Sequence, residues 1–407
     1  MTVMKKSIAA LVAAEIVSIL GSRMTYLALP WFVLVTTGSA AKMTYVLAAQ
    51  LLPMALLGIP SGAVVERLGA RRTMLVCDGA RIPLLAALPA LHAAGALGFP
   101  LLLALVFLLG CFTAPYFAAQ RVILPELVGE DERTIGQANG LIEGGTAIAG
   151  LAGPALAGAL IPFMSAPNIL YVDAATYAIS FLLLTGLVPR TKRLAAGVSS
   201  GGALAGIRFF LRDRLLAPLG ASVIALNFVG SAVSATIPFY AFASFGESSG
   251  TAGLFYAAGG TGALVGSICS VFLIKRFPPL RLAGVAIVAM TLPLWLLPLG
   301  LPAWGVMAAL FAMMFFGPLV NAPTIGLITV RTPVELRPKV MTALIAVSTL
   351  ATPLGFLVAG QLLEPWGPER VFAATAVGMT AAALVFAAIA FRHRPEEVAS
   401  ELPAVAA

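Results

Sequence analysis

Runs of apolar residues, each about 20 residues or longer, decide what this chain can become. A run of that length crosses the roughly 30 Å hydrocarbon core of a bilayer as a helix. Lipid offers the backbone no hydrogen bonds, so only helices and closed barrels span it. The runs lack the alternation of barrel strands. A soluble fold is excluded on composition. Hydrophobic residues make up 60% of the 407 and charged residues 10%, against roughly a quarter charged in soluble domains. A single soluble core would leave large apolar patches in water. The sequence therefore describes an all-α polytopic membrane protein.

Twelve segments are expected, at about 8–35, 43–65, 72–94, 98–120, 136–163, 168–188, 214–243, 250–274, 280–299, 302–328, 339–363 and 368–391. Pro30 is a candidate kink in the first. That segment follows Lys5 and Lys6, has no small-residue cleavage site and reads as a retained helix. The longest polar interval divides the segments six and six. It gives an N-terminal bundle at 1–189, a cytoplasmic linker at 190–213, a C-terminal bundle at 214–392 and a disordered tail at 393–407. The linker's first half, through Ser199, Ser200, Gly201 and Gly202, reads as flexible. Its second half, 203–216, is expected to form a short helix on the membrane surface.

Lysine and arginine placement sets the orientation. Even-numbered connections hold Arg67, Arg71, Arg72, Arg133, Arg190, Lys192, Arg193, Lys275, Arg276, Arg281, Arg331, Arg337 and Lys339. Odd-numbered connections hold only Lys42 and Arg370. The bias puts both termini and the linker in the cytoplasm, and only an even number of spans preserves it. The net charge of +8 thus anchors loops and does not signal nucleic acid. Cys77, Cys111 and Cys269 all lie in apolar runs, and His92 and His393 are the two histidines. No disulfide framework, metal spacing or cofactor is indicated. The run Gly259-Gly-Thr-Gly262-Ala-Leu-Val-Gly266 lacks the Lys-Ser/Thr of a phosphate loop and suits close helix packing. No catalytic constellation points to an enzyme.

The stretch Gly62-Ala-Val-Val-Glu66-Arg67-Leu-Gly69-Ala-Arg71-Arg72 is a short basic turn between the second and third segments. Glu66 lies at the negative end of a helix, where a carboxylate is unfavourable and needs a partner. The halves also repeat weakly: Ala157-Gly158-Ala-Leu160-Ile-Pro162 echoes Ala359-Gly360-Gln-Leu362-Leu-Glu-Pro365. Twelve segments, the six-and-six split and this turn together resemble the major facilitator superfamily. That family's loop between helices two and three commonly reads Gly-x-x-x-Asp-Arg-x-Gly-Arg-Arg. Gly62, Arg67, Gly69, Arg71 and Arg72 fit, and Glu66 replaces the Asp. The resemblance implies two pseudo-symmetric six-helix bundles, a monomer, and alternating access to a central cavity. It also implies a cytoplasmic gate in which Glu66 meets the start of the eleventh helix, around Lys339 to Met341. Asp78-x-x-Arg81, Ile123-Leu-Pro125-Glu126-Leu-Val and Gly153-Pro154 resemble bacterial macrolide and siderophore exporters. Gly150, Gly153, Pro154 and Gly158 resemble the glycine-proline motif of antiporters in the family.

Charges inside the spans are the candidate working parts. In the first segment Glu15, Ser18, Ser22 and Tyr26 share one stripe, with Arg23 beside it. A carboxyl group there can take up and release a proton, which makes Glu15 the first choice for proton coupling. The alternative is a packing role in a Glu15–Arg23 or Glu15–Glu143 neighbourhood. Glu143 is the second candidate and shares a face with Asn139. Asp173, near the periplasmic end of the sixth segment, could be a solvated cap. Asp78 and Arg81, three apart, are read as a structural or gating pair ahead of a substrate contact. An unpaired charge at a helix centre costs about 2.5–3.5 kcal/mol, so pairing is expected. Asn227 and Asn321 are expected as buried amides, each bonded between helices ahead of contacting substrate, and able to line the cavity.

With no nucleotide site visible, an ion gradient is the natural energy source. The expected function is proton-driven antiport of amphipathic organic compounds out of a bacterial cell, across its inner membrane. Its partners are a small organic substrate, protons and the bilayer. The alternatives are an uptake symporter of the same fold or a non-transporting membrane sensor.

Overall fold

The computed structural model describes residues 2–128, 131–190, 203–333 and 336–392. Half of the expected linker, 191–202, and all of the expected tail lie outside the described residues. The described chain is helical throughout, with no strand. Its helices are α1 (Thr2–Thr37), α2 (Ala40–Leu68), α3 (Ala70–Ala93), α4 (Phe99–Cys111), α5 (Thr113–Val128), α6 (Glu132–Met164) and α7 (Ala166–Leu187). They continue as α8 (Ala203–Arg212), α9 (Leu216–Ser244), α10 (Ser249–Arg276), α11 (Pro279–Thr291), α12 (Ala303–Arg331) and α13 (Arg337–Arg392). A 3-10 stretch, Leu292–Leu299, extends α11. Pro293 and Pro298 fall within it, and each removes a backbone donor.

Among the described residues eleven helices are long and apolar enough to cross a membrane, α4 and α5 counting as one. The last of them, within α13, carries a non-helical break at Gly367, φ 75 and ψ 165. Proline on either side, Pro365 and Pro368, reinforces that break. Counting its two arms separately gives the twelve spans expected from the sequence. Pro30 lies inside an unbroken α1.

The basic turn is shorter than expected. α2 runs on to Leu68 and α3 starts at Ala70, so Gly69 alone joins them. Gly62, Glu66 and Arg67 therefore sit on the last turns of α2, because nothing before Gly69 breaks the helix. Gly69 adopts φ 84, which favours a residue without Cβ, and its N–H closes on the Val65 carbonyl at 2.7 Å.

The chain divides into two compact units. One comprises Met1–Val198 and Pro238–Ala257; the other comprises Ser199–Ile237 and Ala258–Ala407. In the first, α1 packs on α6 and α7, α3 on α5 and α7, and α2 on α4 and α5. Leu11, Met74, Cys77, Tyr116, Ile123 and Leu184 form part of its buried centre. In the second, α11 packs on α12 and α13, and α8 on α13. Lipid is as apolar as leucine, so such packing depends on close fit rather than on escape from water. The glycine run of α10 shows this. A Cβ at Gly262 or Gly266 would overlap the carbonyl oxygens of Phe311 and Phe315 on α12.

α8 turns Phe209 and Phe210 onto a cluster of Leu216, Ile328 and Val340. Arg208, Leu211 and Arg212 stay exposed. Asp213 then starts α9. Its Oδ1 accepts the N–H groups of Leu215 and Leu216 at 2.8 and 2.9 Å, and its Oδ2 accepts Arg331 Nε at 3.0 Å. Burial works against this charge, but the two backbone donors and Arg331 hold the carboxyl below its ordinary value of 3.8. A depressed carboxyl stabilises the fold above its unfolded value and loses that contribution as pH falls through the folded one. Asp213→Asn should therefore lower the thermal midpoint of the detergent-solubilised protein at neutral pH. The gap to the wild type should narrow as pH is taken below 3.8. Equal midpoints at neutral pH would refute this.

Candidate functional site

The polar stripe predicted on α1 is the spine of a buried network in the first unit. Glu15 is 0% exposed. Its Oε2 accepts the Gln120 amide of α5 at 2.6 Å, and its Oε1 has no hydrogen-bond partner. Two turns on, Ser22 Oγ shares a 2.8 Å hydrogen bond with Tyr177 of α7. Thr25 donates to Asp173 Oδ2 at 2.5 Å, and Thr176 donates to Asp173 Oδ1 at 3.1 Å. Asp173 is buried, not a solvated cap. It lies in the packing of α1 on α7, and both oxygens are satisfied by hydroxyls.

Asp78 and Arg81 of α3 close the network. Ser180 of α7 donates to Asp78 Oδ2 at 2.7 Å. Arg81 Nη1 stands 3.7 Å from Asp78 Oδ1, close enough to attract it and too far for a hydrogen bond. The guanidinium lies 5.0 Å from the Tyr116 ring centroid and 5.1 Å from that of Tyr177. Each intramembrane charge here has at least one oppositely charged or hydrogen-bonding neighbour, as burial demands.

A cavity of about 370 Å³ opens beside this network. Ser18, Ser22, Arg23, Tyr26, Arg81 and Asp173 are among the side chains that line it. Tyr26 also makes an edge contact with Tyr256 of α10, ring centroids 6.0 Å apart. Ser18, Ser22, Arg23 and Tyr26 of the stripe thus line one cavity, while Glu15 lies about a turn before Ser18, outside its lining. Glu143 and Asn139 do not join them: both are exposed on α6 and outside the cavity lining. Arg23 is exposed to the cavity and does not pair with Glu15.

Tyr177, Ser180, Tyr116 and Gln120 were not nominated from sequence, and their spacing to one another and to Asp173 could have given them away. Asp173, Tyr177 and Ser180 fall at i, i+4 and i+7 of α7, on one face. Tyr116 and Gln120 are four apart on α5. Each is a polar residue in an otherwise apolar span.

The glycine-proline stretch of α6 forms two close crossings. A Cβ at Gly153 would overlap Arg23 of α1, and one at Gly158 would overlap Ser249 and Gly253 of α10. Ser249 also donates to the Gly158 carbonyl at 3.1 Å. Pro154 is buried between these glycines. Gly150 faces open space.

At the turn, Arg71 has a specific job. Its Nε donates to the carbonyls of Val188 at 2.7 Å and Leu184 at 3.2 Å, and its Nη2 to Thr185 at 2.9 Å. These are the orphan carbonyls that end α7, so Arg71 caps that helix and meets its negative dipole. Glu66, Arg67 and Arg72 are exposed and Gly62 half-buried. The gate contact expected around Lys339 falls on a side chain outside the described ones.

The second unit has a cavity of about 300 Å³ lined by Asn227, Asn321, Thr324, Met341, Ser348 and Thr349, among others, and by no charged side chain among the described residues. Asn227 and Asn321 are exposed to it, not buried between helices, and neither makes a hydrogen bond to another described residue. Their central place in apolar segments suggested burial; the cavity reaches them instead.

Many membrane-spanning helices arranged in two compact units, with intramembrane polar cavities, define a transporter. The chain belongs to the Major Facilitator Superfamily, whose sequence profile matches residues 11–329 and again 244–405. It is a multi-pass membrane transporter and not an enzyme. It is similar to the multidrug efflux pump Tap of Mycolicibacterium fortuitum, 28% identical over 88% of this chain and 90% of that protein. The pump of the same name from Mycobacterium tuberculosis H37Rv is 25% identical over 91% and 90%. In fold it resembles the nucleoside transporter NupG, with TM-score 0.77 at 14% identity, covering 97% of this chain and 100% of that one. A bacterial homologue of the lysosomal transporter Spinster gives TM-score 0.69 at 16% identity, covering 99% of each.

The crossing of α6 on α1 positions Arg23 against the network. Gly153→Val should cost about 1–3 kcal/mol through overpacking and lower the thermal midpoint in detergent. Gly144→Ala, where nothing lies within 4 Å, should not. An unchanged midpoint for Gly153→Val would show that the crossing yields freely.

Proposed function

We propose that this chain is a secondary active exporter of amphipathic organic compounds, driven by proton influx. The observation that carries the reading is Glu15: a carboxyl group fully removed from water, bonded through one oxygen only, beside a polar cavity. Intramembrane carboxyls in such settings are proton carriers by default. Protonation of Glu15 favours one access state and substrate the other, so each displaces the other. Glu143, the second candidate from sequence, is set aside because it stands apart from the cavity. The relatives named as multidrug efflux pumps, matched over about nine-tenths of both lengths, support the direction of transport.

In this reading the chain works as a monomer in the bacterial inner membrane, with both termini in the cytoplasm. Two six-helix halves, 1–189 and 214–392, alternate between access states. Glu66 and Arg67 on the end of α2 form the cytoplasmic gate, with Gly69 as its hinge point and Arg71 fixing the turn to α7. Asn227 and Asn321 offer hydrogen bonds to neutral groups of the substrate.

The test expresses wild type and Glu15→Gln at equal levels in a bacterial host stripped of its own efflux pumps. Wild type should raise the inhibitory concentration of several lipophilic toxic compounds at least fourfold, on the order of a 1 kcal/mol effect. Glu15→Gln should return it to the host's level, and Glu143→Gln should resemble wild type. Equal resistance with and without Glu15 removes that residue from the mechanism. No resistance from well-expressed wild type removes the export reading.

A further inference from the structure

We infer that Arg81 anchors an oxyanion on the substrate, and that the favoured cargo carries a carboxylate or enolate on a flat ring system. The inference rests on the export reading for what is moved, but its basis is the cavity itself. Arg81 is 4% exposed and lines the cavity of the first unit. A buried guanidinium has five N–H donors in a rigid planar fork, and leaving them empty is costly. Among the described residues none of them is filled. The nearest carboxylate oxygen, Asp78 Oδ1, stands 3.7 Å away, beyond hydrogen-bond reach. Tyr116 and Tyr177 attract the cation through their rings at 5.0 and 5.1 Å, which fills no donor.

The rest of the lining points the same way. Asp173 is the one carboxylate on the cavity wall among the described residues, and both its oxygens already accept from Thr25 and Thr176. Arg23 adds a second, exposed cation. On the cavity wall itself two guanidinium groups face one satisfied carboxylate, and Asp78, behind the wall, stands too far from Arg81 to fill its donors. A planar oxyanion meets both needs, because it matches the arginine fork and takes two parallel hydrogen bonds. Tyr26, Tyr116, Phe117 and Tyr177 supply aromatic walls for the ring that bears it. The volume of about 370 Å³ is that of a small-molecule site. Arg81 thus has a role beyond pairing with Asp78: it selects cargo.

The experiment measures equilibrium binding of 2-naphthoate, and of its neutral methyl ester, to the purified full-length protein in detergent. Wild type should bind the carboxylate at least tenfold more tightly than the ester. Arg81→Gln should lose at least tenfold in carboxylate affinity and keep its affinity for the ester. Arg81→Lys, which keeps the charge and loses the fork, should fall between. Should Arg81→Gln fail to fold because Asp78 is left unpaired, the double variant Asp78→Asn/Arg81→Gln replaces it with the same expectations. A wild type indifferent to the carboxylate, or a monodisperse variant that loses both ligands equally or neither, overturns the proposal. Binding in detergent needs no proton gradient, so failure of export leaves this result standing, and failure of this result leaves export standing.

Discussion

A charge inside a bilayer has to be answered by another group, and the first unit of this transporter is organised by that demand. Glu15, Asp78, Arg81 and Asp173 come from α1, α3 and α7, yet all lie in one polar seam. Gln120, Ser180, Thr25 and Thr176 supply the hydrogen bonds. The seam can exist only because α1 lies close against α6 and α7. Gly153 lets the α6 backbone come up to Arg23, and Ser22 reaches Tyr177 from the other side. Apolar packing fixes the distances; the polar groups then decide the register.

The answering is incomplete at several atoms, and two of the groups are informative. Glu15 keeps one oxygen without a partner, and Arg81 keeps its donors without acceptors. Asp78 Oδ1 and the Tyr116 hydroxyl also lack hydrogen-bond partners, whereas both oxygens of Asp173 are satisfied. An unfilled carboxyl oxygen suits a proton that comes and goes. An unfilled guanidinium suits a ligand that comes and goes. The second unit contrasts with this, since its cavity carries amides, hydroxyls and a methionine without charge. Hydrogen-bonding side chains in an uncharged wall tolerate varied cargo, and Met341 adapts to its shape.

The fold was legible because its governing constraint is one-dimensional. Span length and hydropathy are properties of consecutive residues, so twelve segments and an all-helical fold follow without any knowledge of contacts. The α1 stripe was legible for the same reason, since Glu15, Ser18, Ser22 and Tyr26 repeat at helical spacing. What failed depends on rotation about a helix axis in three dimensions. Glu143 looks like Glu15 in sequence but is exposed and lies outside the lining of the cavity. Asp173 looks like an end cap but is walled in by Thr25 and Thr176. Asn227 and Asn321 sit in apolar runs but open onto a cavity. The turn at Gly69 shows the limit at finer scale. Its charges are evident from sequence, whereas the capping of α7 by Arg71 joins residues more than a hundred positions apart.

The central claim is that proton movement through Glu15 drives cargo the opposite way. It is tested most directly with purified protein in liposomes, using an amphipathic probe without titratable groups, so that pH alone cannot trap it. With the lumen acidic, protons leave and the account predicts that probe accumulates inside, against its own gradient. Accumulation should vanish with a protonophore and in Glu15→Gln. Probe that leaves the acidic lumen together with protons, or that merely equilibrates whatever the pH difference, would contradict the account.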